Sequence, residues 1–232
     1  MVGFTKERMI YLIENKEHRN IQSSLEYFLK FNIPKNAKIL DVGCNCGSLI
    51  YNIYRKGYKN VQGIDINKEA IKIGKREYKL LEKKLKIYDG YKIPFKNESF
   101  DVVLMFDVIE HIPSVERFIK EEVYRILRKG GLFIFQTPNK PMNIIFVYID
   151  NNFNPFVKWW EEHCSLQTYW SLKKLLMKSG FKEIKIEKYN ILTDYNKEKV
   201  KKVAGRVGLV LLNISSKLPI RLSTNLWGFA KK

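Results

Sequence analysis

A chain of 232 residues with 45% hydrophobic side chains has room for one well-packed α/β domain with elaborations, and too little for two large ones. Its 3 cysteines fit a reducing compartment and offer no two spaced pairs for zinc, and no segment approaches the roughly 20 apolar residues of a membrane span. The formal net charge of +18 leaves two readings open: an anionic partner such as nucleic acid, a phosphorylated substrate or an acidic lipid surface, or a lysine-rich composition spread over nearly every helix.

The opening residues, with Lys6, Glu7 and Arg8, lack the apolar core of a signal peptide, so a cytoplasmic protein is expected. Over residues 7–31, apolar positions from Ile10 to Leu29 recur at near-helical spacing and predict one or two helices leading into Pro34. These helices are expected to pack on a sheet edge and cover a ligand site. From Lys38 the pattern alternates: strand 38–42, helix 47–56, strand 61–65, helix 67–82, strand 85–88, strand 101–106, helix 115–128 and strand 131–137. Such alternation specifies a mostly parallel sheet with helices on both faces. Aromatics then crowd 139–163, among them Phe146, Tyr148, Phe153, Phe156, Trp159 and Trp160, before helix 168–179 and strand 181–189. The stretch 194–221 joins lysines to the apolar run Val207 to Ile214, either a core-facing helix with snorkelling lysines or a surface for an anionic bilayer or lipid-linked acceptor. Asn225 to Lys231 reads as the last strand.

The run Ile39-Leu40-Asp41-Val42-Gly43-Cys44-Asn45-Cys46-Gly47 breaks an apolar strand into small residues just before a helix. Small residues admit left-handed dihedrals and close backbone approach, and the first N–H groups of the helix favour an anionic group. Asn45 sits where a third glycine is common, and Asn is the non-glycine residue that best tolerates positive φ. Asp65 closes the second strand about 20 residues on, where nucleotide-binding folds place an acid for ribose hydroxyls. Asp89 follows the third strand.

Asp89-Gly90-Tyr91-Lys92-Ile93-Pro94-Phe95, the run Ser99 to Ile112 containing Glu110-His111, and Glu122 to Asn139 with its Gly130-Gly131 turn complete a series. Together with the glycine turn it resembles the class I S-adenosylmethionine-dependent methyltransferases, in particular their small-molecule branch of the ubiquinone and menaquinone biosynthesis type. The likeness covers about Ala37 to Asn139. It implies a Rossmann-like, doubly wound seven-stranded sheet, mostly parallel with an antiparallel last strand. It also implies a single domain: an N-terminal helical lid over 1–36, a cofactor-binding core over 37–139, an acceptor-side insertion over 140–165 and the rest of the sheet over 166–232. The implied cofactor is S-adenosyl-L-methionine, held by Asp41, Gly43, Cys44, Asn45 and Gly47 at its methionine end, Asp65 and Ile66 at ribose, Asp89 and Gly90 at adenine, and Phe106 lining the pocket. Asp101 reads as a structural anchor.

Methyl transfer from a sulfonium is an in-line displacement in which the protein positions the acceptor and removes its proton. The histidines are His18, His111 and His163. His111, which follows the fourth strand, is the first candidate general base, and His163 is the second, because Glu161 to Leu172 resembles a stretch of the family that brings it near the pocket mouth; no metal is expected. Acceptors in order are oxygen on a small molecule, glycan or lipid precursor, then RNA, for which no dedicated binding module is visible. A nicotinamide dehydrogenase is the rival enzyme, and Gly43-x-x-x-Gly47 lacks its G-x-G-x-x-G spacing. A scaffold that binds cofactor without turnover is the non-enzymatic rival.

Overall fold

Strands form where β-branched and large apolar residues run without interruption, because a parallel sheet covered by helices buries both faces. The computed structural model describes residues 19–141, 163–189 and 223–232, with isolated positions between 144 and 220. Its elements are α1 (Arg19–Leu29), β1 (Ile39–Val42), α2 (Ser48–Arg55), β2 (Val61–Asp65), α3 (Lys68–Glu77), β3 (Leu85–Ile87), β4 (Phe100–Phe106), α4 (Val115–Phe118), β5 (Leu127–Pro138), α5 (Tyr169–Lys178), β6 (Lys182–Glu187) and β7 (Asn225–Lys231). All four residues of β1 are buried.

The strand order is β3-β2-β1-β4-β5-β7-β6. β1 pairs in parallel with β2 and β4, and β7 runs antiparallel between β5 and β6. This is the expected doubly wound sheet with its antiparallel last strand. The order reverses at β1, so the carboxyl ends of β1, β2 and β4 open on one crevice. One face is filled by Val103, Met105, Ile119, Phe133 and Leu176, the other by Phe28, Ile39, Ile50, Leu104 and Ile134.

Capping fixes the helices that matter for the site. The Asn67 side chain accepts from Glu69 N and Ala70 N at the start of α3, and Thr168 and Ser171 exchange reciprocal bonds opening α5. α1 departs from its expected place at the sheet edge. Tyr27 and Phe28 are fully buried on the sheet's face, Tyr27 against Trp227 of β7 and Phe28 against Tyr58, because their rings need more apolar cover than an edge supplies. Residues 7–18, including His18, lie outside the described residues, as do most of 142–162 and 190–222 with the aromatic insertion and the lysine-rich stretch.

Three boundaries also differ from the sequence pattern. The helix predicted over 67–82 ends at Glu77, because the Tyr78 hydroxyl bonds Ser48 Oγ at 3.0 Å while its ring stacks on Tyr51; a 3-10 turn, Lys79–Leu81, follows. The helix predicted over 115–128 passes from α4 through a π segment, Ile119–Val123, to a last turn at Tyr124–Ile126. β5 starts at Leu127, whose buried side chain pairs opposite Phe100. Asp101 is the anchor expected: it accepts from Lys38 N at 2.7 Å and Arg128 Nη1 at 2.8 Å, at the amino ends of the strands.

Candidate functional site

The crevice begins at the turn after β1. Gly43, Asn45 and Gly47 adopt φ of 76°, 50° and 83°, so the asparagine takes the left-handed conformation its side chain tolerates. Gly43 N and Cys44 N donate to Ile64 O at 2.8 and 3.1 Å, binding the turn to β2. A side chain at Gly43 would overlap Val108, and one at Gly47 would meet Leu85. The turn is thus clamped between β3 and the segment that follows β4.

Asp65, ending β2, accepts from Asn45 N at 2.7 Å and Asn67 N at 2.8 Å. One carboxylate therefore ties the glycine turn to the start of α3. Burial raises its pKa, while the backbone N–H groups of Asn67, Asn45 and Ile66 pull it down. Asp41 is 4% exposed, and burial, with Asp65 adding, holds its carboxyl well above the usual range. Two acids this close disfavour joint ionisation, and a cation nearby would relieve both.

Asp89 is exposed and accepts from Tyr91 N and Lys92 N, both through Oδ1, at 2.8 and 2.9 Å. Those N–H groups lower its pKa. Gly90 has φ 84° and stands beside Ile66, which is 43% exposed. Phe106, ending β4, is partly buried against Trp227. Burial pushes the Cys44 and Cys46 thiols up, so they stay protonated and serve as small packing groups. Seven of the ten cofactor positions named from the sequence thus lie in the three loops that follow β1, β2 and β3, while Asp41 lies in β1 and Asp65 and Phe106 end β2 and β4.

The two candidate bases are brought together. His111 and His163 have ring centroids 5.0 Å apart. Between them and the sheet lies a residue that motif reading quoted without assigning a role, Glu110. It is 1% exposed, accepts from Thr137 Oγ1 at 2.8 Å, and its Oε1 lies 3.9 Å from His111 Nε2. Burial, then the negative charge of Asp107, pushes its carboxyl up to about 8. Ser165 N donates to Glu110 O at 2.9 Å, which carries His163 to the cluster. Beside the cluster, Asp107, at φ 54°, donates its N–H to Gln136 Oε1 at 3.1 Å. The available signal was an acidic residue beside a histidine after an apolar strand, and it does not foretell which later segment joins it.

Two clefts of ≈ 500 and ≈ 480 Å³ open elsewhere, lined by residues such as Lys84 and Lys38 near the amino ends of the strands. In sheets of this kind ligands sit beyond the carboxyl ends, where the acids converge, so chemistry is assigned to the crevice.

Comparison with known proteins accords with this geometry. Residues 13–186 match the family model described as a methyltransferase domain. A ubiquinone biosynthesis O-methyltransferase of Pelagibacter ubique is 34% identical over 131 residues, covering 54% of this chain and 51% of the relative. A sterol 24-C-methyltransferase of Gibberella zeae is 34% identical over 116 residues, covering 47% and 30%. The chain thus spans about half the length, or less, of these curated relatives. Among solved structures, a SAM-dependent methyltransferase of Archaeoglobus fulgidus superposes with TM-score 0.66 at 19% identity, covering 96% of this chain and 99% of that one. A phosphoethanolamine N-methyltransferase of Haemonchus contortus in complex with S-adenosyl-L-methionine gives 0.64 at 19%, covering 91% and 52%. With sheet order, turn and family model in agreement, the chain belongs to the class I S-adenosylmethionine-dependent methyltransferases.

Proposed function

We propose that this chain methylates an oxygen of a small molecule, glycan or lipid-linked precursor, with S-adenosyl-L-methionine as donor. The observation that carries the reading is Asp65, fixed by two backbone N–H bonds between the left-handed turn and α3. The residues fit the cofactor: a turn whose glycines cannot take a side chain, acids at the ends of β1 and β2, and a third after β3. When bound, the cofactor supplies a methyl already activated by positive sulfur.

Each residue then has a definite task. Asp65 accepts from the ribose hydroxyls with Ile66 beside it, and Asp89 with Gly90 borders the adenine. Asp41 and the backbone from Gly43 through Cys44 and Asn45 to Gly47 receive the methionine part. The buried carboxylate of Asp65, beside an Asp41 whose own ionisation burial and Asp65 oppose, favours a cationic ligand, and Phe106 limits the pocket behind it. Removal of the acceptor proton falls to the group around His111 and His163. The acceptor side falls to the segment 140–165 and the role of cover to 1–36, and much of both lies outside the described residues.

Oxygen is the preferred acceptor atom because the relative with the longest overlap cited above carries that chemistry in its name. The charge of +18 favours RNA as a second acceptor class and peripheral contact with anionic membrane in the cytoplasm. Among the described residues no helix is long and apolar enough to cross a membrane. Radiolabelled methyl transfer into fractionated cell extract tests the reading. Label in the small-molecule or lipid fraction supports it, label in RNA selects the second class, and label in no fraction leaves a cofactor-binding module without turnover.

A further inference from the structure

Gln136, near the carboxyl end of β5, carries a buried hydrogen-bond donor that the fold leaves unused. Its side chain is 1% exposed, and among the described residues its Nε2 meets no acceptor. The direction of the carboxamide is fixed by chemistry. Asp107 N–H can only donate, so the side-chain oxygen faces it at 3.1 Å and the amino group points away. A donor buried in this way has lost its water without a replacement, and nearly all such groups in folded chains are satisfied.

The fold itself does not require the amide. Asp107 N–H also donates to the backbone O of Gln136 at 3.1 Å, so it keeps an acceptor without the side chain. An apolar residue of similar length fills the same place and leaves no orphaned N–H behind. The amide is thus a cost to the free protein that a bound molecule can remove.

The place of the donor indicates which molecule. Strand alternation puts Gln136 on the face of Ile134, and its register neighbours are Phe106 on β4 and Trp227 on β7, whose rings lie 5.8 Å apart. Asp41 takes the same face of β1, two residues past Ile39. Only β4 stands between β1 and β5, a separation of about 10 Å, or two strand spacings. The proposed cofactor contacts run from Asp89 after β3 through Asp65 on β2 to Asp41 on β1, and Gln136 continues that line beyond Phe106.

We propose that Gln136 is an acceptor-binding, specificity-determining residue, whose amide N–H donates to a carbonyl or carboxylate oxygen that the acceptor carries in addition to its methylated hydroxyl. Such an oxygen accepts and brings no donor of its own. A ligand hydroxyl in its place has to find an acceptor in turn, and the flanking rings of Phe106 and Trp227 supply none. An acceptor without the oxygen leaves the amide unpaired, which is how a buried donor rejects a near relative of its substrate. This inference deepens the methyltransferase reading and rests on it.

The experiment compares the full chain with its Gln136→Met variant, which keeps the length of the side chain and removes the donor. Urea unfolding without ligand is expected to give the variant a midpoint equal to or above that of wild type. Labelled methyl transfer into the small-molecule and lipid fraction of cell extract, run as a dilution series, gives the concentration of that fraction at half-saturation. Gln136→Met is expected to need about fivefold more, the scale of one hydrogen bond, with S-adenosyl-L-methionine affinity by calorimetry unchanged. Mass spectrometry of the labelled product is expected to show a carbonyl or carboxylate oxygen. A lowered urea midpoint shows the amide satisfied within the fold and overturns the inference with no acceptor in hand. Unchanged half-saturation, or a product whose only oxygen is the methylated one, overturns the inference alone; no label from wild type in any fraction overturns the methyltransferase reading itself.

Discussion

Gly43→Ala is the most informative single substitution in the turn. The backbone there has φ 76°, a left-handed conformation that costs an L-residue about 1–2 kcal/mol. The new methyl would lie 3.2 Å from Val108 Cγ1 and closer still to Cγ2, an overlap of the kind that costs about 1–3 kcal/mol in packed interiors. The sum is a destabilisation of about 2–5 kcal/mol, and the turn proposed to receive the cofactor is displaced with it. Urea unfolding with linear extrapolation measures the stability, and calorimetry measures S-adenosyl-L-methionine binding. Adding Val108→Ala removes the overlap and leaves the dihedral cost, so the double variant recovers about 1–3 kcal/mol relative to the sum of the single changes. A single variant within about 0.5 kcal/mol of wild type, or strictly additive changes in the pair, refutes this account of the turn.

Other outcomes follow from the same geometry. Asp65→Asn removes the charge while keeping the shape, and cofactor affinity is expected to fall by about 1–3 kcal/mol, the scale of hydrogen bonds to a charged group, read by calorimetry. Burial raises the Asp41 carboxyl well above 3.8, so the folded chain holds a proton that the unfolded chain releases, and this contribution destabilises the fold as pH rises from about 4 toward the raised value. Asp41→Asn accordingly unfolds with the same free energy as wild type near pH 4 and gains stability over it toward pH 7 in urea titrations at a series of pH values; parallel curves contradict the assignment. Arg125 donates to Phe95 O at 2.7 Å and Ile93 O at 3.0 Å and pairs with Glu122. Arg125→Ala is expected to cost about 2–4 kcal/mol in unfolding free energy, and Arg125→Lys to recover little of it, because one ammonium cannot replace the fork.

Much of the core was legible because local and tertiary preferences agree there. β2 and β7 have the limits their patterns predict, 61–65 and 225–231, and Asn45 takes the positive φ expected of it. Failures occur where a long-range contact overrides the local pattern. Tyr78 leaves the helix to reach Ser48 and Tyr51, and Leu127 joins the sheet early to lie opposite Phe100. Tyr27 and Phe28 show the limit of periodicity, which reveals an apolar stripe without naming the surface that covers it. Glu110 illustrates the same limit at the site: its neighbour His111 is adjacent in sequence, but His163 arrives through the bond from Ser165 N to Glu110 O, which no spacing rule contains.

The most direct test of the central claim is calorimetric titration of the purified chain with S-adenosyl-L-methionine and its demethylated product, with NAD as control. Saturable one-to-one binding of both sulfur nucleosides, none of NAD, and a clear loss of affinity in Asp65→Asn is the predicted result. A folded chain that binds neither nucleoside, or an Asp65→Asn variant with undiminished affinity, contradicts it.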